Sequence, residues 1–229
     1  MTILIVFIVS ASLLVGAAWG LYGCLPERLE GFLVALAGGA LMISAILELI
    51  EPAVNKNSIL IAFIMVLLGA LVFSVLDYWV DEKWDSKGGG LLVAITLDGL
   101  PENLALGVSL IGASPLSVAA LACSIILSNV PEAASGAKSM VEGKLNKQQV
   151  LMVWAATAGL LFAVALLGNY FLAQVPEAIL NYIRCFAGGA VVASLALEVF
   201  PKAYQKDAHL AGLATAIGLI MTFGLNTLG

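Results

Sequence analysis

Apolar runs of about twenty residues, separated by short polar connections, dominate this 229-residue chain. Hydrophobic residues make up 62% of it and charged residues 11%, and the mean hydropathy is +1.06. A water-soluble domain of this size cannot hide so much apolar surface, whereas a polytopic membrane protein leaves it in contact with lipid. Because helices satisfy their own backbone hydrogen bonds inside a bilayer, the pattern predicts an all-α membrane protein.

Eight runs long enough to cross a bilayer follow one another along the chain, and we expect them to form one transmembrane domain covering residues 1–229. Their approximate bounds are 2–23, 31–51, 58–80, 88–112, 115–140, 147–173, 178–200 and 208–228. No basic segment precedes the first run, so we interpret it as a span and not as a signal peptide. The turn at 112–115 is so short that spans four and five should be antiparallel neighbours, and the glycines at 88–90 can act as a flexible joint.

Basic residues are distributed unevenly between the two sides of these spans. Eight of the ten lie in, or next to, the connections that follow spans one, three, five and seven. Only Lys56 and Arg184 belong to the other side. Since cytoplasmic connections are enriched in Lys and Arg, we expect both termini outside the cytoplasm, in the cytoplasmic membrane of a prokaryote. No basic stripe for nucleic acid is present. The expected partners are the lipid bilayer and, as one candidate assembly, a second copy of the chain.

One twelve-residue stretch occurs twice at an offset of 150 residues. Residues 37–48 read AGGALMISAILE, and residues 187–198 read AGGAVVASLALE. The copies lie on spans two and seven, which run in opposite directions, so the repeat is inverted as in many secondary transporters. It predicts a 3+2+3 arrangement, with repeats at about 1–80 and 147–229 around central helices at about 88–140. Alternatively, the small residues merely allow close helix packing.

Spans four and five each carry a proline directly before a glutamate, with an oxygen-bearing side chain four residues before that glutamate. The segments are Asp98-Gly-Leu-Pro101-Glu102 and Ser128-Asn129-Val-Pro131-Glu132. Four-residue spacing places the oxygen groups on one face of each helix, and the prolines free the carbonyl groups of Leu97 and Leu127. Ionisable groups within membrane helices usually mark an ion or substrate path, so the two segments predict one shared cation site.

The ligands predicted for this site are Asp98, Glu102, Ser128, Asn129 and Glu132. Asn103 is a further candidate, either as a ligand or as support for one. No Lys or Arg is expected at this depth, so a proton or a divalent cation should neutralise the acids. Alternatively, two kinked helices hold protonated acids that hydrogen-bond to each other.

Acidic residues near the ends of other spans are candidate positions along an ion path. Glu48 and Glu51 are three residues apart near the outer end of span two, where their field could gather cations. Glu198 lies near the inner end of span seven and could receive the ion on exit. For all three residues, an ordinary solvated helix end is the alternative.

These motifs, together with the repeat and the charge distribution, resemble the ZIP (Zrt/Irt-like) family of divalent metal transporters. Members of that family have eight spans, external termini and a 3+2+3 inverted repeat. Residues 98–103 fall on the His-Asn-x-Pro-Glu-Gly pattern of the family's fourth span, and residues 128–132 on the His-x-x-Pro-His/Glu pattern of its fifth. The resemblance implies transport of divalent metal ions into the cytoplasm by alternating access, with the metal as substrate, no tightly bound cofactor and no enzymatic activity.

The chain departs from the family at both motif histidines, which are Asp98 and Ser128 here, and at Gly99 and Asn103, which replace Asn and Gly. Its single histidine, His209, begins span eight. An all-oxygen site favours harder ions, so we expect manganese or iron ahead of zinc, which carboxylates also bind.

Two rival functions remain at this point. The missing histidines suggest a non-transporting protein that kept the family fold but lost the site. The membrane aspartates Asp77 and Asp98 suggest, more remotely, an intramembrane aspartyl protease. Leu97 stands where that protease motif has glycine, and the repeated Pro-Glu pattern would have no role there.

Overall fold

The computed structural model describes residues 1–83, 89–113 and 118–227, and within them the chain forms eight helices and no strand. The helices are α1 (Thr2–Tyr22), α2 (Glu27–Lys56), α3 (Ile59–Lys83), α4 (Gly89–Ser109), α5 (Ala119–Glu142), α6 (Lys147–Leu172), α7 (Glu177–Lys206) and α8 (Ala208–Thr227). The predicted all-α class is confirmed. The predicted glycine joint at 88–90 and the turn at 112–115 lie partly outside the described residues.

Among the described residues, six helices are long and apolar enough to cross a membrane, namely α1, α2, α3, α6, α7 and α8. The other two, α4 and α5, are the helices that carry Asp98, Glu102 and Glu132 together with an internal proline. The six apolar helices agree with the predicted membrane protein.

Helices α2 and α7 extend beyond the apolar runs at 31–51 and 178–200. Each begins directly after a proline, Pro26 or Pro176, whose fixed φ is compatible with a helix start. Each ends with a lysine in the last turn, where a cation interacts favourably with the helix dipole. The end turns are polar, so hydropathy alone does not reveal them.

The helices pack in four close pairs, which are α1 with α5, α2 with α8, α3 with α7 and α4 with α6. This set of four pairs is symmetrical. If α1 is exchanged with α6, α2 with α7, α3 with α8 and α4 with α5, every pair becomes a pair of the same set. The pairs form two groups, α1/α4/α5/α6 and α2/α3/α7/α8, which meet where α2 contacts α5 and where α4 contacts α7.

The expectation that α4 and α5 are close neighbours is met only over a short stretch. Glycines bring each helix to a different partner, which explains the difference. A Cβ atom at Gly107 of α4 would overlap the carbonyl oxygen of Ala165 on α6, and one at Gly20 of α1 would overlap that of Ala134 on α5. Backbones that approach this closely leave α4 and α5 facing other helices along most of their length.

The two Ala-Gly-Gly-Ala segments make equivalent packing contacts. A Cβ atom at Gly39 would overlap the carbonyl oxygen of Thr215 on α8, and one at Gly189 would overlap that of Val66 on α3. Close packing is therefore a real role of these residues. The contacts also occur at matching positions of the two segments. Close packing and an internal repeat are therefore compatible explanations of the shared sequence.

Both long helices contain a π-helical turn directly after the repeated serine. The turns are Ala45–Ile50 in α2 and Leu195–Val199 in α7, and they carry Glu48 and Glu198. A proline follows each turn, at Pro52 and Pro201. Single π turns within α-helices are frequent at functional sites.

Ion pairs join α2 and α7 at both ends of the molecule. Lys56 Nζ lies 2.9 Å from Glu177 Oε1, and Lys206 Nζ lies 3.3 Å from Glu30 Oε2 and 4.0 Å from Glu27 Oε1. The lysines are 150 residues apart, as are Glu27 and Glu177. We call the end with Lys206 the basic end and the end with Lys56 the opposite end.

Candidate functional site

Helix α4 brings Asp98 and Glu102 into the interior between the two helix groups. The helix continues through Pro101 and keeps the two acids one turn apart. Glu102 is only 6% exposed, and Asp98 is half-buried. Acids placed so deeply among apolar helices are costly unless a polar or cationic partner reaches them.

Helix α5 contributes the second predicted set, which is Ser128, Asn129 and Glu132. Ser128 and Asn129 are buried, and Glu132 is half-buried. The amide nitrogen of Asn129 donates to the carbonyl oxygen of Val9, at 3.1 Å, and to Ser12 Oγ, at 3.0 Å. Asn129 therefore ties α5 to α1 through its nitrogen, which leaves only its oxygen for the ligand role predicted from the sequence.

Asn103, the further candidate on α4, is completely buried. Its side-chain nitrogen donates to the carbonyl oxygen of Gly99 at 2.9 Å, while its side-chain oxygen has no hydrogen-bond partner. A buried oxygen without a partner is unfavourable, and a water molecule or a cation would satisfy it.

Helix α7 reaches the same region from the other helix group. Ser194 Oγ donates a hydrogen bond to Asp98 Oδ1 at 3.0 Å. Glu198 is half-buried and close enough to Asp98 to interact with it electrostatically. The sequence prediction did not include Ser194, although this residue is the serine shared by the two repeat copies.

Four carboxylates thus belong to one electrostatic cluster. Asp98 interacts with Glu132, Glu198 and Glu102, and Glu102 interacts with Glu132. The half-buried Lys202 of α7 interacts with Glu132. A basic side chain therefore lies within electrostatic range of Glu132, which the sequence prediction did not include.

The acids nevertheless form a loose cluster. Among the described residues, no three Asp, Glu, His or Cys side chains lie close enough together to hold one metal ion. A cation bound here would have to draw the carboxylates inward, or complete its coordination with hydroxyl, carbonyl and water oxygens.

Glu48 and Glu51 have different surroundings, although the sequence places both on one face of span two. Glu51 is exposed and accepts a hydrogen bond from Asn55 Nδ2 at 3.3 Å, as expected for a solvated helix end. Glu48 lies beside the backbone of Leu121 on α5, but both of its oxygens are hidden from solvent and lack a partner with hydrogen-bond geometry. Of the two, only Glu48 has its carboxylate oxygens in the interior.

A purely apolar crevice of about 280 Å³ lies on another side of α4. Helices α3, α4, α6 and α7 line it, with Leu97, Leu100, Pro101 and Leu104 supplied by α4. A cation gains nothing from such a lining, so the crevice is not a candidate ion path.

Comparison with known proteins gives no family assignment. No protein-family profile matches the chain, and no curated protein matches it. The resemblance to the ZIP family therefore rests on the Pro-Glu motifs, the repeat and the charge distribution.

Proposed function

We propose that the chain is a carrier of divalent metal cations in the manganese, iron or zinc class. The observation that supports this function best is the cluster of Asp98, Glu102, Glu132 and Glu198, contributed by three helices from two packed groups. A divalent cation is the simplest ligand that compensates several acids at once in an apolar interior.

The proposed architecture is a 3+2+3 inverted repeat in which all eight helices cross the membrane. The matching helix pairs, glycine contacts, π turns and ion pairs of α2 and α7 support it. Inverted repeats commonly place the substrate site where the repeats meet. The distribution of basic residues supports a cytoplasmic basic end. Transport of the metal into the cytoplasm is proposed from the resemblance to the ZIP family alone.

The proposed ligands are Asp98, Glu102, Glu132 and Ser128, with Asn103 and Asn129 available through their side-chain oxygens. Oxygen ligands favour hard cations, so Mn²⁺ and Fe²⁺ should precede Zn²⁺ and Cd²⁺ in the ranking. Transport by alternating access would let the α1/α4/α5/α6 group shift against the α2/α3/α7/α8 group. The Ser194–Asp98 hydrogen bond crosses the contact between these groups and would respond to such a shift.

Uptake of radioactive metal ions into proteoliposomes tests this function. Wild-type protein should show saturable Mn²⁺ uptake, and Glu102→Ala should abolish it because a buried ligand is lost. The matched control is Glu142→Ala, which removes an exposed acid at the end of α5 and should retain uptake. Normal uptake by Glu102→Ala would refute the central site.

The second candidate is a membrane protein with this fold that does not transport metal. The lack of a converged metal-ligand group within the described residues favours it. The two candidates differ in binding, since a protein that binds metal becomes more stable as the metal concentration rises. Folded wild-type protein that gains no stability from Mn²⁺, Fe²⁺, Zn²⁺ or Cd²⁺ and shows no uptake would support the non-transporting protein.

A further inference from the structure

The apolar crevice beside α4 opens toward lipid. Its floor is buried and includes Phe73 of α3 and Ala187 of α7, while Val72 and Leu76 of α3 lie at its mouth and are each 43% exposed. Helix α3 is the least buried of the six apolar helices, and all four residues lie well inside their spans. Because the middle of a span lies in the hydrocarbon layer, acyl chains and not water surround the mouth of the crevice.

Tight helix pairs on both sides leave the crevice between them. A Cβ atom at Gly69 of α3 would overlap the carbonyl oxygen of Phe186 on α7, and one at Gly107 of α4 would overlap that of Ala165 on α6. These glycine contacts hold α3 against α7 and α4 against α6, whereas α3 and α4 belong to different helix groups and touch only briefly. The crevice is the space between the two pairs, so an occupant touches both helix groups.

Polar side chains join the equivalent helices in the other half of the repeat. The residue 150 positions after Val72 is Thr222 of α8. Its hydroxyl oxygen lies 3.5 Å from Ser124 Oγ on α5, which lies 3.0 Å from Ser44 Oγ on α2. Three buried hydroxyl groups therefore connect α8, α5 and α2, whereas an apolar gap separates α3, α4 and α7. The symmetry of the repeat does not account for the crevice.

We propose that the crevice binds one acyl chain of a membrane phospholipid. Its volume of about 280 Å³ decides between the possible occupants. One turn of a helix, about 10 Å across and about 5.4 Å long, needs more than about 400 Å³, so a helix of a second copy does not fit. A methylene group needs roughly 30 Å³, about as much as a water molecule in the liquid, so a chain of about nine methylene groups fits. Water itself finds no polar partner in the purely apolar lining.

Packing, and not the hydrophobic effect, favours this occupancy. An acyl chain that enters the crevice comes from hydrocarbon, so it gains nothing from leaving water. An empty crevice deprives its lining of partner atoms, and an acyl chain restores those dispersion contacts. The chain touches Leu97, Leu100 and Leu104 of α4 on one side and Ala190 of α7 on the other. The bound lipid is thus a packing element between the two helix groups.

Photochemical labelling tests the site in the wild-type protein. The probe is a phosphatidylcholine with a diazirine group in the middle of one acyl chain, added in increasing amounts to the protein in detergent micelles. After irradiation, mass spectrometry locates the labelled residues. Labelling of Leu100 and Leu104 should saturate at about one lipid per protein chain, because two close-packed acyl chains do not fit. Labelling of Leu67, which is 70% exposed on α3 and does not line the crevice, should rise without saturation.

Matched tryptophan variants test whether the acyl chain enters through the mouth of the crevice. Val72→Trp places a large ring there and should lower the labelling of Leu100 and Leu104 about tenfold, because a close-packed crevice admits no further occupant. The control is Val75→Trp, since Val75 is also 43% exposed on α3 but does not line the crevice. Ala190→Leu fills the crevice from its floor and should reduce the labelling in the same way.

Three results would overturn the lipid site. Absent or unsaturable labelling of Leu100 and Leu104 would show that no acyl chain is held in the crevice. Equal labelling of these residues in Val72→Trp and Val75→Trp would mean ordinary contact with bulk lipid. Labelling that appears only after dilution dissociates a dimer would assign the crevice to a second copy. None of these readouts involves a metal ion, so they test the lipid site independently of the proposed carrier function.

Discussion

Helices α2 and α7 share several backbone features but differ in the polar groups around their glutamates. Both begin after a proline, both contact a neighbouring backbone through a glycine, and both contain a π turn with a glutamate. Glu198 interacts with the acid cluster, whereas Glu48 lies beside the backbone of Leu121. The shared glycine contacts hold neighbouring helices together. The surroundings of the two glutamates are what differs between the helices. Two helices that share a repeated sequence can thus present different polar surroundings around equivalent glutamates.

The strongest test of the shared features is substitution of the paired glycines. Gly39→Ala and Gly189→Ala should each destabilise the protein by about 3 kcal/mol, because a methyl group would collide with a backbone carbonyl. Thermal unfolding in detergent measures the effect. Gly159→Ala is the control, since a Cβ atom there meets nothing within 4 Å and alanine is the better helix former. A large effect at only one of the pair would show that the two contacts are not equivalent.

The ion pairs at the two ends should differ in strength. Lys206→Met should cost about 2 kcal/mol of stability, because it leaves the Glu30 side chain, which is 1% exposed, without its partner. Lys56→Met should cost less than about 1 kcal/mol, because both side chains of the Lys56–Glu177 pair are exposed. Chemical denaturation measures the free energy of unfolding of the two variants. Equal losses of this free energy would argue against burial as the cause of the difference.

Neutralising the two π-turn glutamates should separate their roles. Glu198→Gln should weaken the apparent affinity for Mn²⁺ about tenfold, because it removes one charge from the cluster. Glu48→Gln should leave the affinity close to wild type and slow uptake only at low metal concentration. The concentration dependence of Mn²⁺ uptake distinguishes the two effects. Identical curves for the two variants would show that Glu48 also acts at the central cluster.

The smallest difference should appear at the repeated serines. Ser194→Ala should raise the KM for Mn²⁺ about threefold, because Asp98 loses a hydrogen bond that orients it, and Ser194→Thr should restore the value. Ser44 lies 3.0 Å from the hydroxyl of Ser124, so Ser44→Ala should affect stability slightly and KM not at all. The ratio of the two KM values is the quantity to measure, and a ratio of one would remove Ser194 from the site.

The sequence reveals the helical class because apolar runs of membrane length have few alternatives to a helix. It reveals Asp98, Glu102 and Glu132 for a related reason, since an acid within such a run is conspicuous. The ends of α2 and α7 escape notice because Glu27 and Lys56 resemble loop residues until their ion pairs are seen.

The contributions of α7 to the site depend on tertiary structure. Whether Ser194 and Lys202 face the acids is determined by the rotation of α7 against α4 and α5, which local patterns do not encode. The π turn also changes the phase of the helix, so simple α-helical spacing is a poor guide across it. Similarly, the anchoring of Asn129 on α1 requires a partner 120 residues away in the sequence.

The two π turns have a mechanical consequence for α2 and α7. A proline lies two residues after the end of each turn, at Pro52 and Pro201, and a proline lacks the N–H group of a regular helix. Sharp bends in helices occur at π turns and at prolines. Each long helix therefore has its most easily bent segment directly beside its glutamate, Glu48 or Glu198.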